Sequence, residues 1–321
     1  MKKALLLINS LPEDSTADEL DVLVQAAAVE SALDELGYNH TRAFFDLNLE
    51  TMRDILTGEA PDVVFNLVET VDGKGSLIHL PPSLLEALKI PFTGSGSYSL
   101  LVTTDKIRTK EILEKAGIPT PVWILPGDHL QPAPDTHYIL KPVWEDGSAG
   151  ITDESVVKGQ SFDMNHFRKD KKYRDYFLEE YIDGREFNIT LLAGPDGAEV
   201  MPPAEMLYVD YPENKPKILN FASKWDTDSF EYGKTIRTFD LQDRDVELAG
   251  EMKRISLLCW DLFDIKGYAR VDIRVNRNNR PFVLEVNTNP CLSPDAGFTA
   301  ACAEGGVHYT EMIQRILTDA R

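Results

Sequence analysis

The chain has 321 residues, 43% hydrophobic and 27% charged, too long for one small domain and apolar enough for two or three cores. A formal charge of −20 argues against a nucleic-acid or anionic-membrane binder, so any phosphate site must bring its own local cations. No run approaches the roughly 20 apolar residues of a membrane span. Cys259, Cys291 and Cys302 lack metal-ligand or disulfide spacing, so a reducing cytoplasm is expected.

The apolar run in MKKALLLINS is too short for a secretory segment, and KALLLIN reads as a first strand. Ser15 to Leu36 is predicted as a helix, opened by Ser/Thr/Asp and closed by Gly37. PDVVFNLVE follows as a strand, SLLEALKI as a helix and PFTGS as an extended piece. The alternation predicts a small parallel sheet with helices on both faces, which binds ligands at the carboxyl ends of its strands. Asn66, Glu69 and the glycines of VDGKGS fall at that edge. His79 reads as a structural histidine near it. Thr103 to Gly117 is predicted as one helix, ended by GIPTP.

After a Pro-rich connection, YILKPVWEDGSAGIT is a strand that delivers Lys141 and then Gly147-Ser148-Ala149-Gly150, whose backbone N–H groups can approach an anion. It is neither a Walker A loop nor a GxGxxG fingerprint. FLEEYIDGREFNITLLAG reads as strand, turn and strand. Backbone at Glu180 and Ile182 suits an adenine edge, and a carboxylate such as Glu186 suits ribose hydroxyls. Residues 202–232 read as loop-rich surface, with NFASKWDTDSFEY as a candidate lid. RDVELAGEMKRISLLCWDLF is an amphipathic helix, and GGVHYTEMIQRILTDAR closes the chain as another.

Between those helices lies GYARVDIRVNRNNRPFVLEVNTNP, two alternating runs about a polar RNNR. A two-residue turn at Asn278-Asn279 puts Asp272 opposite Glu285 and Arg270 opposite Asn287, all on one face. Facing like charges call for a cation between them. Two carboxylates and an amide oxygen form a set that Mg²⁺ accepts. The alternative is a solvated face on which Arg270 and Arg274 neutralise the acids.

Four stretches, TTDKIRTKEILEKAGIPTP, YILKPVWEDGSAGI, EEYIDGREFNITLL and the hairpin, together resemble the ATP-grasp superfamily and, within it, the D-alanine–D-alanine ligase family. They stand in that family's order and cover roughly residues 90 to 300. The resemblance implies an α/β chain, α+β in its C-terminal half: a parallel-sheet N-terminal substrate domain (1–100), a central ATP-grasp subdomain (101–185) and a C-terminal one with the metal site (186–321). It implies that Lys106 and Lys141 contact ATP phosphates, with Gly147 and Ser148 in the loop over them. Glu179, Glu180, Tyr181 and Ile182 would line the adenine slot, Glu186 would bind ribose, and Lys224 would sit on a mobile loop over the γ-phosphate. Asp272, Glu285 and Asn287 would hold two Mg²⁺ ions, with Mn²⁺ as an alternative, and Arg270, Lys224 and Ser148 would act on the reacting groups. The implied activity is ATP-dependent ligation of a small-molecule carboxylate to an amine through an acyl phosphate, in a homodimer. A small-molecule kinase and a nucleotide-binding regulatory module are the other readings.

The substrate side departs from the family. INSLPEDS stands in place of its Gly-rich Ser/Glu opening, Gly147-Ser148 in place of paired serines, and Trp225 in place of a tyrosine after the loop lysine. PCLSPDAGF and FNLVETVDGKGS replace its Ser/His and His-Gly stretches. Cys291, in the first of these, reads as a small neutral filler. The substrate pair is therefore left open, D-alanine included.

Overall fold

Leu5, Leu6, Leu7 and Ile8 are almost wholly buried because β1 (Lys3–Asn9) is the middle strand of a three-stranded sheet. The computed structural model describes residues 2–12, 15–145, 147–241 and 245–320, so the helix ends expected at Arg244 and Arg321 lie outside the described residues. β2 (Asn39–Phe45) and β3 (Val63–Asn66) flank β1 in the order β2-β1-β3, both parallel to it. α1 (Ala17–Glu35), α2 (Leu49–Glu59) and α3 (Leu80–Leu88) pack around the sheet. The strand expected over PDVVFNLVE shortens to β3. β2 has a weak sequence signal because NHTRAFF is an edge strand, largely open on one face, whereas α2 carries one that sequence reasoning misses, an Asn48 cap before an amphipathic run that buries Met52 and Leu56.

α4 (Ser97–Thr104) and α5 (Lys106–Lys115) replace the single helix expected from Thr103 to Gly117. Asp105 makes the break. Its carboxylate accepts from the N–H groups of Ile107 and Arg108, at 3.0 Å each, and so caps a new helix. Lys106 thereby becomes the first residue of α5 and is buried.

An antiparallel four-stranded sheet follows in the order β4-β7-β5-β6, from β4 (Trp123–Ile124), β5 (His137–Pro142), β6 (Val156–Lys158) and β7 (Tyr176–Glu180). α6 (Met164–Lys169) packs on it through Met164 and Phe167. A larger antiparallel sheet centres on β8 (Gly184–Gly194), where EFNITLLA is buried throughout. β9 (Gly197–Val200) and β10 (Ala204–Tyr208) pair with it. The segment expected as loop also forms the short helix α7 (Phe221–Trp225) and the start of another, α8 (Phe230–Lys234), and the edge strand β11 (Thr235–Thr238) follows it. α9 (Val246–Leu262) buries Leu248, Met252, Ile255 and Cys259 at helical spacing against this sheet. No helix among the described residues is long and apolar enough to cross a membrane.

β12 (Tyr268–Asn276) and β13 (Pro281–Asn287) complete the large sheet as the expected hairpin. Its turn differs from the two-residue expectation. Asn276 accepts from Asn279 N–H and donates to the Arg280 carbonyl, both at 3.0 Å, which leaves a three-residue loop with Asn279 left-handed at φ 57°. Leu284 is then an extra residue, since Ile273 pairs with Val283 while Asp272 pairs with Glu285. The bulge cancels the shift made by the longer loop. Asp272 faces Glu285 and Arg270 faces Asn287, as the shorter turn predicts. α10 (Gly297–Glu304) and α11 (Tyr309–Thr318) then return to α1, where Phe298, Met312, Ile313 and Ile316 share a core with Val22, Ala26, Val29 and Leu33.

Candidate active site

Strands of the two antiparallel sheets line a solvent-open cleft of about 770 Å³. Lys106 enters it from the start of α5, its Nζ donating to the Glu145 carbonyl at 2.7 Å and lying 3.6 Å from Glu285 Oε2. Lys141 enters from β5 and pairs with Glu179, which also pairs with Lys110. Lys110 is fully buried, and its ammonium donates to Thr120 Oγ1 at 2.9 Å. Burial opposes the charge on Glu179, yet Lys110 and Lys141 hold its carboxyl below the ordinary range. Burial likewise pushes the Lys110 ammonium down, against Glu179. Sequence reasoning misses Lys110, although its spacing of four from Lys106 on one helix face is a signal for it. Glu179, expected in the adenine slot, lines the cleft but commits its carboxylate to these lysines.

Glu180, Tyr181 and Ile182 line the same cleft. The Glu180 N–H donates to the Val122 carbonyl at 2.8 Å. Ile182 offers its carbonyl to Arg274 Nε at 3.0 Å. Arg274 does not neutralise the paired acids. It donates to Glu186 Oε2 at 2.7 Å and to the Lys217 carbonyl at 2.6 Å, and its guanidinium lies 5.1 Å from the Tyr181 ring centroid. The same Glu186 oxygen accepts from Tyr208 at 2.6 Å, and no hydrogen bond to Oε1 is made by the described residues.

The glycine loop and the candidate lid lie against each other. Gly147, Ser148 and Gly150 all have left-handed backbone, with φ of 66°, 67° and 72°. At Ser148 that conformation is strained for a side-chain-bearing residue. Its hydroxyl donates to the Leu219 carbonyl at 2.6 Å, and Phe221 N–H donates to Ile151 at 3.2 Å. Trp225 Nε1 reaches the Gly147 carbonyl at 3.3 Å. Asn220 caps α7 and donates to Asp153 at 3.0 Å, while Lys215 bridges Asp153 and Glu231. Lys224 projects from α7 into the cleft and has no ion-pair partner within 4 Å among the described residues. Burial and Arg270 push its ammonium down despite Glu285 and Asp272.

On the hairpin, Arg270 supplies the cation that the facing acids require. It donates to both Asp272 oxygens, at 2.7 and 2.8 Å, and lies 4.0 Å from Glu285. Asn188 donates to Asp272 at 2.8 Å. Burial opposes ionisation of Glu285, but Lys106, Arg270 and Lys224 hold its carboxyl down at about 2. Asp272 is pushed up by burial against Arg270. The Asn287 side-chain oxygen accepts from Asn289 N–H at 2.8 Å. No group of three His, Cys, Asp or Glu side chains among the described residues is placed to hold a metal. The set is two facing carboxylates, one firmly ionised, and an amide, which suits a hard cation that keeps other oxygen ligands.

A larger cavity of about 2600 Å³, also open to solvent, adjoins the cleft and shares Lys224, Glu145 and Leu219 with it. Arg270, Asn287, Gly147 and Trp225 line it on one side, and Asn9, Asp21, Glu69 and Cys291 on the other. The Cys291 thiol donates to Asp21 at 3.0 Å and is pushed well up by burial, Glu69 and Asp21, which makes it a poor nucleophile. His79 lines neither cavity, and its Nδ1 lies 3.1 Å from the Ser76 carbonyl.

Two antiparallel sheets lining a lysine-rich cleft, preceded by a small parallel sheet, are the ATP-grasp fold. Residues 136–318 match the family described as the D-ala D-ala ligase C-terminus. A D-alanine–D-alanine ligase of Aquifex aeolicus is 30% identical over 301 residues, 91% of this chain and 92% of that protein. An uncharacterized protein of Sinorhizobium fredii, y4sG, is likewise 30% identical, over 91% of this chain and 86% of that one. The crystal structure of a Bacillus anthracis D-alanine–D-alanine ligase complexed with ATP superposes with a TM-score of 0.74 at 20% identity, covering 99% and 97% of the two chains. The chain belongs to the D-alanine–D-alanine ligase family, and as such is an ATP-dependent ligase that forms C–N bonds.

Proposed function

We propose that the smaller cleft binds ATP with its phosphates toward Lys106, Lys141 and Lys224, and that the larger cavity holds a carboxylate and an amine to be joined. The observation that carries this reading is that those three lysines line one cleft with facing Asp272 and Glu285, and that Lys224 borders the larger cavity as well. Ile182 backbone and Tyr181 line the base end, and Glu186 Oε1 accepts a ribose hydroxyl. Asp272, Glu285 and Asn287 are the residues that would hold Mg²⁺, or Mn²⁺, which supplies charge neutralisation at the phosphates. Lys106, Lys141 and Lys224 neutralise charge on the transferring phosphoryl group, and Arg270 stabilises the oxyanion formed when the amine attacks the acyl phosphate. The lid contacts with Gly147, Ser148 and Ile151 keep water from the acyl phosphate.

Purified protein with Mg-ATP and a panel of amino acids is expected to release phosphate only when acid and amine are both present. A stable phosphorylated product, or ATP binding without turnover across the panel, would overturn the reading.

A pH dependence follows from Lys224. Its pKa is lowered in the free protein, so it loses its proton below the ordinary lysine range. The ammonium is the form that meets phosphate, so kcat/KM for ATP falls as pH rises through that lowered pKa. Lys224→Arg, whose guanidinium stays charged, is expected to move this alkaline limb to higher pH. An unmoved limb removes Lys224 from the assignment.

A further inference from the structure

We propose that Arg237 is a specificity-determining residue of the larger cavity, pairing with a carboxylate that the reaction does not consume, the one carried by the amine substrate. The proposal rests on the ligase reading above and deepens it. Arg237 stands on the edge strand β11, opposite Met206 of β10, and both residues line the larger cavity. Among the described residues Arg237 makes no hydrogen bond and no ion pair. Its guanidinium lies broadside to Gly297, where a Cβ would stand 3.4 Å from Nη2 and 3.7 Å from Cζ and Nε. The missing side chain at Gly297 leaves the fork its room.

The surroundings of Arg237 are positive. Gly297 is the first residue of α10, so the positive end of that helix meets the guanidinium. Burial and Arg270 push Arg237 below the ordinary arginine range, and the exposed Asp295 counters them only in part. An arginine stays charged even so, and a half-buried cation without a counter-ion is stabilised by an anion from outside. That anion is not a nucleotide phosphate, since Arg237 does not line the ATP cleft. Of the cations in the larger cavity, Lys224 and Arg270 attend the phosphoryl group and the oxyanion, which leaves Arg237 for a second carboxylate. A planar fork takes a carboxylate through two parallel N–H···O bonds, which neither a simple amine nor an amino amide can accept.

Calorimetric titration of the full chain with both enantiomers of alanine, serine, glutamate, lysine and phenylalanine, and with the α-carboxamide of each, tests this without turnover. At least one amino acid is expected to bind about tenfold tighter than its carboxamide. Arg237→Gln is expected to remove that preference by weakening the acid alone, and Arg237→Lys to restore part of it, as a point charge without the fork. ATP affinity, measured on the same preparations, is expected to stay unchanged. Equal binding of acid and carboxamide by the unmodified chain, a preference that survives in Arg237→Gln, or no binding by any of the panel at millimolar concentration overturns the proposal. A preference lost in Arg237→Gln, in a protein that releases no phosphate with any acid and amine, counts against the ligase reading and leaves the role of Arg237 standing.

Discussion

Asp272→Asn and Glu285→Gln are each expected to lower turnover on the order of a thousandfold, the loss that corresponds to several kcal/mol of transition-state stabilisation. Both substitutions keep side-chain volume, so the fold should survive. Glu285 is the more telling of the two. Its carboxyl stays ionised through Lys106, Arg270 and Lys224, and it has no hydrogen-bonded counter-ion of the kind Asp272 has in Arg270. The charge it keeps is available to a metal. Glu285→Gln is therefore expected to weaken Mn²⁺ binding in the presence of ATP, read by electron paramagnetic resonance, by an order of magnitude or more. Near-normal turnover with unchanged Mn²⁺ affinity would show that the facing acids serve the sheet rather than the reaction.

Arg270 makes this site more than a pair of acids. Its fork spans both Asp272 oxygens, as the solvated-face alternative expects of Arg270. A cation that takes an Asp272 oxygen competes with the guanidinium. Arg270 also lines the larger cavity.

The hairpin shows how far the residues alone lead. Alternation gives both strands and the facing of Asp272 with Glu285, but the turn is one residue longer than its sequence suggests, and only the bulge at Leu284 restores the register. A bulge leaves no local signal in PFVLEVN. The helix break at Asp105 is local chemistry that an uninterrupted helical pattern conceals, and it decides where Lys106 enters the cleft. The ion-pair partner of Lys110 and the true partners of Arg274 escape notice for another reason. Each of these two side chains is fixed by partners distant in the chain, Glu179 for Lys110 and Ile182, Glu186 and Lys217 for Arg274, and no spacing rule encodes those pairs.

Glu179→Gln is expected to destabilise the protein by about 3–5 kcal/mol, because it leaves the fully buried Lys110 without its counter-charge. The effect appears as a lowered Tm and urea midpoint. Replacing both partners with apolar side chains, Lys110→Met with Glu179→Leu, is expected to recover most of that loss, since a well-packed apolar pair costs little relative to a buried ion pair. The double variant separates scaffold from function. Lys141 is partly exposed and survives in it, but it no longer has the carboxylate that fixes its ammonium in the cleft. KM for ATP should therefore stay raised even where stability returns. Recovery of both would mean that Glu179 acts only on the fold. Recovery of neither would mean that the pocket around Lys110 cannot repack. The expected split, stability regained and ATP affinity still weak, follows from one carboxylate holding one lysine for the core and another for the nucleotide.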